Sequence, residues 1–171
     1  HLFRMPYSLH EKTALASVVL EKDDIAKFDP VKDAAFEVRD LLAKAGLDSW
    51  PLLTGGKGIH VVAPLQRRQP WETVKAAAKG LARQLTEKAP DTYVDEASKS
   101  RRKGRIFIDW LRNERGATAI CPFSLRARPG APVATPVSWM ELPGIETANA
   151  YTLSTIGQRL AALNADPWED Y

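Results

Sequence analysis

Residues 52–65 read LLTGGKGIHVVAPL. Gly55, Gly56 and Gly58 surround Lys57, with Thr54 just before the bend and His60 just after it. Glycine reaches positive φ without steric cost and lets a backbone approach a ligand closely. Successive N–H groups in such a bend can form an anion-binding nest. Lys57 is a compact charge suited to phosphate, and Thr54 adds a hydroxyl donor. On an extended strand from Ile59, His60 and Val62 point opposite to Ile59 and Val61, which keeps His60 near the bend and within reach of a triphosphate. An ordinary hairpin with a solvated lysine accounts for the same residues. The spacing is not that of a Walker A loop.

A second group lies in RIFIDWLRNERGATA (105–119). Ile106 and Ile108 take one side of a strand, Phe107 and Asp109 the other. A carboxylate at the end of an apolar strand is costly to bury unless it is paired or holds a metal. Arg112 and Arg115 follow closely, so two explanations stand side by side. One is a salt bridge. The other is a divalent-metal ligand flanked by phosphate-binding arginines, since Mg²⁺ and Mn²⁺ prefer oxygen donors. In SLRARPG (124–130), Arg126 and Arg128 fall on one side of an extended segment beside Ser124. That suits bidentate guanidinium–phosphate contacts, although two surface arginines need no function. Finally, Lys99, Arg101, Arg102, Lys103 and Arg105 place five cations within seven residues. Such a run is either a solvated loop or a contact to a nucleic-acid backbone.

These residues need a scaffold, and the 171-residue chain is the size of one domain. Its 44% hydrophobic and 26% charged residues describe a soluble globular protein, and no apolar run nears the ~18 residues of a membrane span. The single cysteine, Cys121, excludes an internal disulfide and fits a reducing compartment. A net charge of +3 permits a polyanionic partner without requiring one. No signal peptide is visible, and a start at His1 instead of Met is what a missing N-terminus would leave. Helical spacing predicts helices over 33–45, with Gly46 as its cap, and over 71–88, between Pro70 and Pro90. Residues 50–53 and 59–63 read as a strand pair around the glycine bend. LASVVL (15–20), IFIDW, ATAICPF and APVATPV look strand-like, residues 22–33 like a charged linker, and 151–163 like a last helix.

The order and spacing of LLTGGKGIHVVAPL, GRIFIDWLRNERGATA, PFSLRARPGAPVATPVSWMEL and DPWEDY resemble the polymerase domain of bacterial ATP-dependent DNA ligase D, of the archaeo-eukaryotic primase superfamily. The resemblance runs from about Ala34 to the end. It implies an α+β fold, a mixed or antiparallel sheet flanked by helices, here in an incomplete or rearranged form. It also implies a template-directed nucleotidyltransferase of double-strand-break repair by end joining, using Mn²⁺ or Mg²⁺. The implied partners are primer–template or broken DNA ends, nucleoside triphosphates, attached ligase or nuclease domains or an end-binding protein, and no membrane. The implied location is the bacterial cytoplasm, at the nucleoid. By carry-over, Thr54, Gly55, Gly56, Lys57, Gly58 and His60 bind the incoming nucleotide. Asp109 is a catalytic metal ligand, and Arg126, with Arg128 beside it, contacts phosphate. The cationic run 99–105 is the expected DNA contact.

The family also carries an Asp-x-Asp pair of metal ligands on a strand before the first helix, and no such pair exists here. Ungapped spacing puts it at Val19 and Glu21; a short shift gives Glu21 and Asp23, the expected substitutes. Asp29 in KFDP has Lys27 where the second acid belongs. Residues 1–17 (HLFRMPYSLHEKTALAS) instead resemble a stretch that follows the catalytic carboxylates in small-subunit primases. The expected division is therefore a primase-like segment, 1–33, and a ligase D-like core, 34–171. A module that binds nucleotide or nucleic acid without catalysis is the competing expectation.

Overall fold

The computed structural model describes residues 15–22, as backbone, and residues 29–66 and 68–171. Strand β1 spans Leu15–Lys22 and helix α1 Asp29–Lys44. Strands β2 (Trp50–Leu53) and β3 (Ile59–Pro64) flank the glycine bend. Helix α2 covers Trp71–Lys88 and is followed by β4 (Tyr93–Val94), β5 (Ile106–Asp109), β6 (Thr135–Pro136) and helix α3 (Ile156–Ala162). The strands form one sheet in the order β4-β5-β1-β3-β2-β6. The β4–β5 pair is parallel and the other neighbours are antiparallel. This is the mixed α+β architecture expected. Residues 1–14, with most of the primase-like stretch, and Asp23 lie outside the described residues, whereas β1 pairs with both β3 and β5.

Alternation along the strands decides what each face does. Leu53, Ile59, Val61, Ala63, Ile106 and Ile108 join Val31, Ala34, Ala35, Val38 and Leu42 of α1 and Ala82 and Leu85 of α2 in the main core. The opposite face carries His60, Phe107 and Asp109, and its β2–β3 end is sealed by the C-terminal tail. There Trp168 packs on Leu52 and Val62 and donates its indole N–H to the Pro51 carbonyl (3.2 Å).

Several expected boundaries change. Helix α1 starts at Asp29, four residues before the expected start, so Asp29–Asp33 is not linker. Pro30 tolerates the first helical turn. Lys32 secures that turn, pairing with Asp29 (2.8 Å) and donating to the carbonyls of Pro143 (2.9 Å) and Ile145 (3.0 Å). ATAICPF is not a strand, and APVATPV contributes only the two residues of β6. The last helix starts at Ile156 instead of Tyr151.

The bend between β2 and β3 is closed from within. The Thr54 hydroxyl donates to the Gly58 carbonyl (2.8 Å) and accepts the Gly56 N–H (3.2 Å), while the Gly55 N–H goes to the Ala148 carbonyl (3.0 Å). Gly55 has φ +64°, and a Cβ there would sit 2.8 Å from Arg126 Cγ, 3.1 Å from the Val133 carbonyl carbon and 3.2 Å from the Ala134 nitrogen. Backbone atoms cannot step aside as a side-chain tip can. Gly55→Ala is expected to cost about 2–4 kcal/mol, combining left-handed strain with overpacking. Gly56→Ala, with no positive φ and its nearest neighbour, Thr54 Oγ1, at 3.4 Å, is expected to cost under about 1 kcal/mol. Urea unfolding of both variants checks this; equal losses would mean the close approach at Gly55 is not a constraint.

Candidate nucleotide-binding cavity

A cavity of about 490 Å³ opens at the β2–β3 bend. Its walls are Thr54, Gly56, Lys57 and His60, then Arg112, Thr118, Ala119 and Ile120, then Arg126 and Arg128. Three segments meet there. The bend supplies Lys57, which is exposed. The loop after β5 supplies Arg112. The third is a hairpin-like segment, 123–134, held by Phe123 N–H to the Ala134 carbonyl (2.6 Å), Ala134 N–H to the Ser124 carbonyl (2.9 Å) and Arg126 N–H to the Pro132 carbonyl (2.8 Å). It lies over Gly55, so Arg126 and Arg128 face the same basin as Lys57. Among the described lining residues four are cations and none is a carboxylate.

Asp109 is buried and ends β5. One of its oxygens accepts the Leu111 N–H (3.0 Å) and the other the Arg112 Nε–H (3.1 Å). Arg112 also donates to the Thr118 carbonyl (3.0 Å), which pins the 110–118 loop along the cavity. The salt bridge weighed from the sequence thus forms, and with Arg112 rather than Arg115. Arg112, one of the two arginines weighed as phosphate ligands beside Asp109, lines the cavity. Its place three residues after Asp109 was the available signal, since a helical or turn conformation brings such pairs together.

His60 is buried on β3. Loss of hydration, with the Arg112 and Arg126 guanidinium charges nearby, pushes its pKa down to about 3. It is therefore neutral at physiological pH and presents a hydrogen-bonding imidazole, not a charge.

Three other expectations need correction. Thr54 is not a spare hydroxyl donor, because its proton closes the bend onto Gly58. The bend is not an open N–H nest either. Gly55 and Gly56 N–H groups are used inside the protein, and Gly58 N–H also faces Thr54 Oγ1, at 3.4 Å. The glycines let chains approach closely, and Gly56 also lines the cavity. The cationic run does not present five charges outward. Lys99, Arg101 and Lys103 are exposed. Arg102 lies over the Phe107 ring (3.7 Å to its centroid) and Arg105 donates to the Pro90 carbonyl (3.2 Å). This turn precedes β5, so it sits at the opposite end of that strand from Asp109.

The sequence model for the LigD primase-polymerase domain matches residues 20–168. The chain belongs to that family. The multifunctional non-homologous end joining protein LigD of Pseudomonas aeruginosa is 40% identical over 132 residues, covering 77% of this chain and 16% of that protein. The bifunctional LigD of Bacillus subtilis is 28% identical over 161 residues, covering 92% of this chain and 26% of that protein. The polymerase domain of Mycobacterium tuberculosis ligase D, solved in complex with DNA, superposes with a TM-score of 0.79 at 31% identity, over 86% of this chain and 51% of that one. The chain thus spans about a sixth to a quarter of the length of these LigD proteins.

LigD polymerase domains are metal-dependent nucleotidyltransferases. Among the described residues no group of three His, Cys, Asp or Glu side chains could hold an ion. Val19 is the register partner of both His60 and Asp109, and valine has no oxygen to offer. Glu21 stands opposite Phe107, and Asp29 is in α1, paired with Lys32. Of the expected trio only Asp109 is described; the Glu21 side chain and Asp23 lie outside the described residues.

The buried imidazole has a measurable consequence. Its folded pKa lies below the ordinary value near 6.5, so the unfolded chain takes up the proton first as pH falls. The stabilisation is intact above about pH 6.5 and is lost progressively on the way down to pH 3, by about 2 kcal/mol between pH 7 and pH 5. His60→Phe removes the titrating group. Urea midpoints of wild type should therefore fall more steeply over that window than those of the variant. Parallel curves would mean that His60 protonates in place without penalty.

Proposed function

We propose that this chain acts in DNA end joining as a primase-polymerase module of the nucleotidyltransferase class. The cavity receives the triphosphate of an incoming nucleotide, ribo- or deoxyribo-, and the exposed cations of the 99–103 turn meet the DNA backbone. The observation that carries the reading is the cavity wall, where the described lining residues include the cations Lys57, Arg112, Arg126 and Arg128. The partners this implies are a nucleoside triphosphate and a primer–template or broken DNA end.

Each lining group has a chemical task in that reading. Arg126 and Arg128 offer planar donor forks, which match phosphate oxygens two at a time. Lys57, at the tip of the bend, supplies a point charge. Arg112, braced between Asp109 and the Thr118 carbonyl, extends a fixed cation from the third side. Neutral His60 can share a proton with a phosphate oxygen without adding charge. In the family reading, Mn²⁺ or Mg²⁺ supplies the activation of the primer hydroxyl and the stabilisation of pyrophosphate.

A second reading, binding without transfer, is favoured by one observation. The strand position flanked by both His60 and Asp109 is Val19, so the carboxylate expected at that point is missing.

Two measurements test these readings together. Lys57→Ala and Arg128→Ala change exposed side chains, and each is expected to weaken ATP binding at least tenfold, since a charged hydrogen bond is worth about 1.5–3 kcal/mol. Lys99→Ala with Lys103→Ala should leave ATP affinity alone and flatten the log–log salt dependence of duplex binding by up to about two phosphate contacts, each near −0.9. In primer extension with Mn²⁺ the wild type is expected to incorporate weakly or not at all, and Val19→Asp with Glu21→Asp to gain activity. ATP affinity unmoved by both cavity variants would remove the proposed site; vigorous wild-type extension would remove the second reading.

A further inference from the structure

We propose that a second cavity, at the far end of β2 from the bend, binds an arginine side chain presented by a basic peptide segment of a protein partner. This cavity measures about 430 Å³, within the range of about 300–1,000 Å³ common to ligand sites. Trp50 opens β2 and stands in its wall, whereas Thr54, just past the other end of the strand, stands in the wall of the candidate nucleotide-binding cavity. The two sites are therefore separate, and this one does not rest on the triphosphate reading.

Two indoles form the walls, and both are held. Trp139 donates its ring N–H to the Ser49 carbonyl (2.6 Å) and packs on Phe36 with ring centroids 5.4 Å apart. Trp50 meets the Tyr171 ring edge-on at 5.4 Å, and Tyr171 in turn packs on Trp168 (5.2 Å). An indole face attracts a cation through its quadrupole. Trp139 already does so within the protein, since the Arg39 guanidinium lies over its ring at 5.4 Å and over that of Phe36 at 4.9 Å. Ala43 and Leu47 add apolar surface for the methylene stem of a long basic side chain.

Charge decides the sign of the occupant. Asp48 and Asp170 line the cavity and are exposed. Arg39 lines it too, but its guanidinium is engaged by Asp40, at 3.0 Å from Nε and 2.8 Å from Nη2. With that pair counted as neutral, the two aspartates leave the described lining net negative. A nucleic-acid backbone meets repulsion there, whereas a guanidinium meets two carboxylates, each able to accept a two-pronged hydrogen bond. Ser49 lines the same cavity, is 8% exposed, and its hydroxyl has no hydrogen-bond partner among the described residues. A buried hydroxyl without a partner is costly, and an N–H donor entering the cavity gives Ser49 Oγ a bond to accept. Arginine fits these groups better than lysine, because its planar head stacks on an indole while its fork still donates to oxygens in the same plane.

The test is titration of the whole chain, at low salt, with tetra-arginine, tetra-lysine and tetra-glutamate peptides, followed by the indole N–H signals of the tryptophans in nuclear magnetic resonance. Tetra-arginine is expected to shift the Trp50 and Trp139 signals and to leave that of Trp71, at the start of α2, in place. Tetra-lysine should bind several-fold more weakly and tetra-glutamate should leave both signals unmoved. Asp48→Asn with Asp170→Asn changes exposed groups only and is expected to weaken tetra-arginine binding by about tenfold, with ATP affinity as in the wild type. Trp50 and Trp139 signals unmoved at millimolar tetra-arginine, or a double variant whose affinity stays within about threefold of the wild type, overturns the inference. Equal binding of the lysine and arginine peptides overturns the choice of arginine. Failure of ATP to bind would remove the nucleotide reading and leave this one standing.

Discussion

The cavity depends on the absence of a side chain at Gly55. The 123–134 segment crosses that residue at a distance no Cβ allows, 2.8 Å from Arg126 Cγ. That crossing brings Arg126 and Arg128 over the bend that carries Lys57. The contact is held on both sides, by the hydrogen bonds that close the 123–134 segment and by the Gly55 N–H on the Ala148 carbonyl. The same segment keeps two non-glycine residues at positive φ, Phe123 at 61° and Ala131 at 45°. Each such residue costs on the order of 1–3 kcal/mol and persists only where the surroundings over-determine it. Here the register of the 123–134 segment and the Gly55 packing do so together.

Bringing four cations to one basin raises the free energy of the empty protein. The structure limits that cost in two ways. Arg112 is compensated by Asp109, and the imidazole at the floor stays uncharged. What repulsion remains is relieved when a polyanion enters, so ligand affinity and folded stability are linked: a ligand that binds only the folded state stabilises it. Buried Asp109 therefore acts through Arg112. Removing it would leave a guanidinium without its brace, and the loop to Thr118 without its anchor.

The sequence was most legible where local pattern and tertiary role agree. Helix α2 ends where Pro70 and Pro90 say it should, and β2 and β3 fall either side of the glycine bend. Helix α1 begins earlier than its apolar spacing suggests, because its first turn is held by Lys32 reaching carbonyls more than a hundred residues away. No local signal announces that. ATAICPF has strand composition but pairs with no strand of the sheet, whose position beside β2 is taken by β6. In the site, the cationic members Lys57, Arg126 and Arg128 were readable as residue types. The use of the Thr54 hydroxyl and the glycine N–H groups was not, because the bend satisfies its own donors before any ligand is considered.

Fold and chemistry separate cleanly along the chain. The phosphate-facing groups come from the bend, the loop after β5 and the 123–134 segment, and all three can be kept while β1 changes. Valine at position 19 suits the middle of a sheet, where β-branched residues pack well between neighbouring strands. A valine there brings no carboxylate to the strand. A TM-score of 0.79 to a DNA-bound ligase D polymerase domain speaks to the fold and not to the donor set of β1. Superposition reports the backbone, which β1 preserves in register with both β3 and β5, while the reaction depends on which atoms that backbone carries. In register, β1 sets Val19 between His60 and Asp109, so the strand that holds the sheet together also adjoins the residues expected to do chemistry.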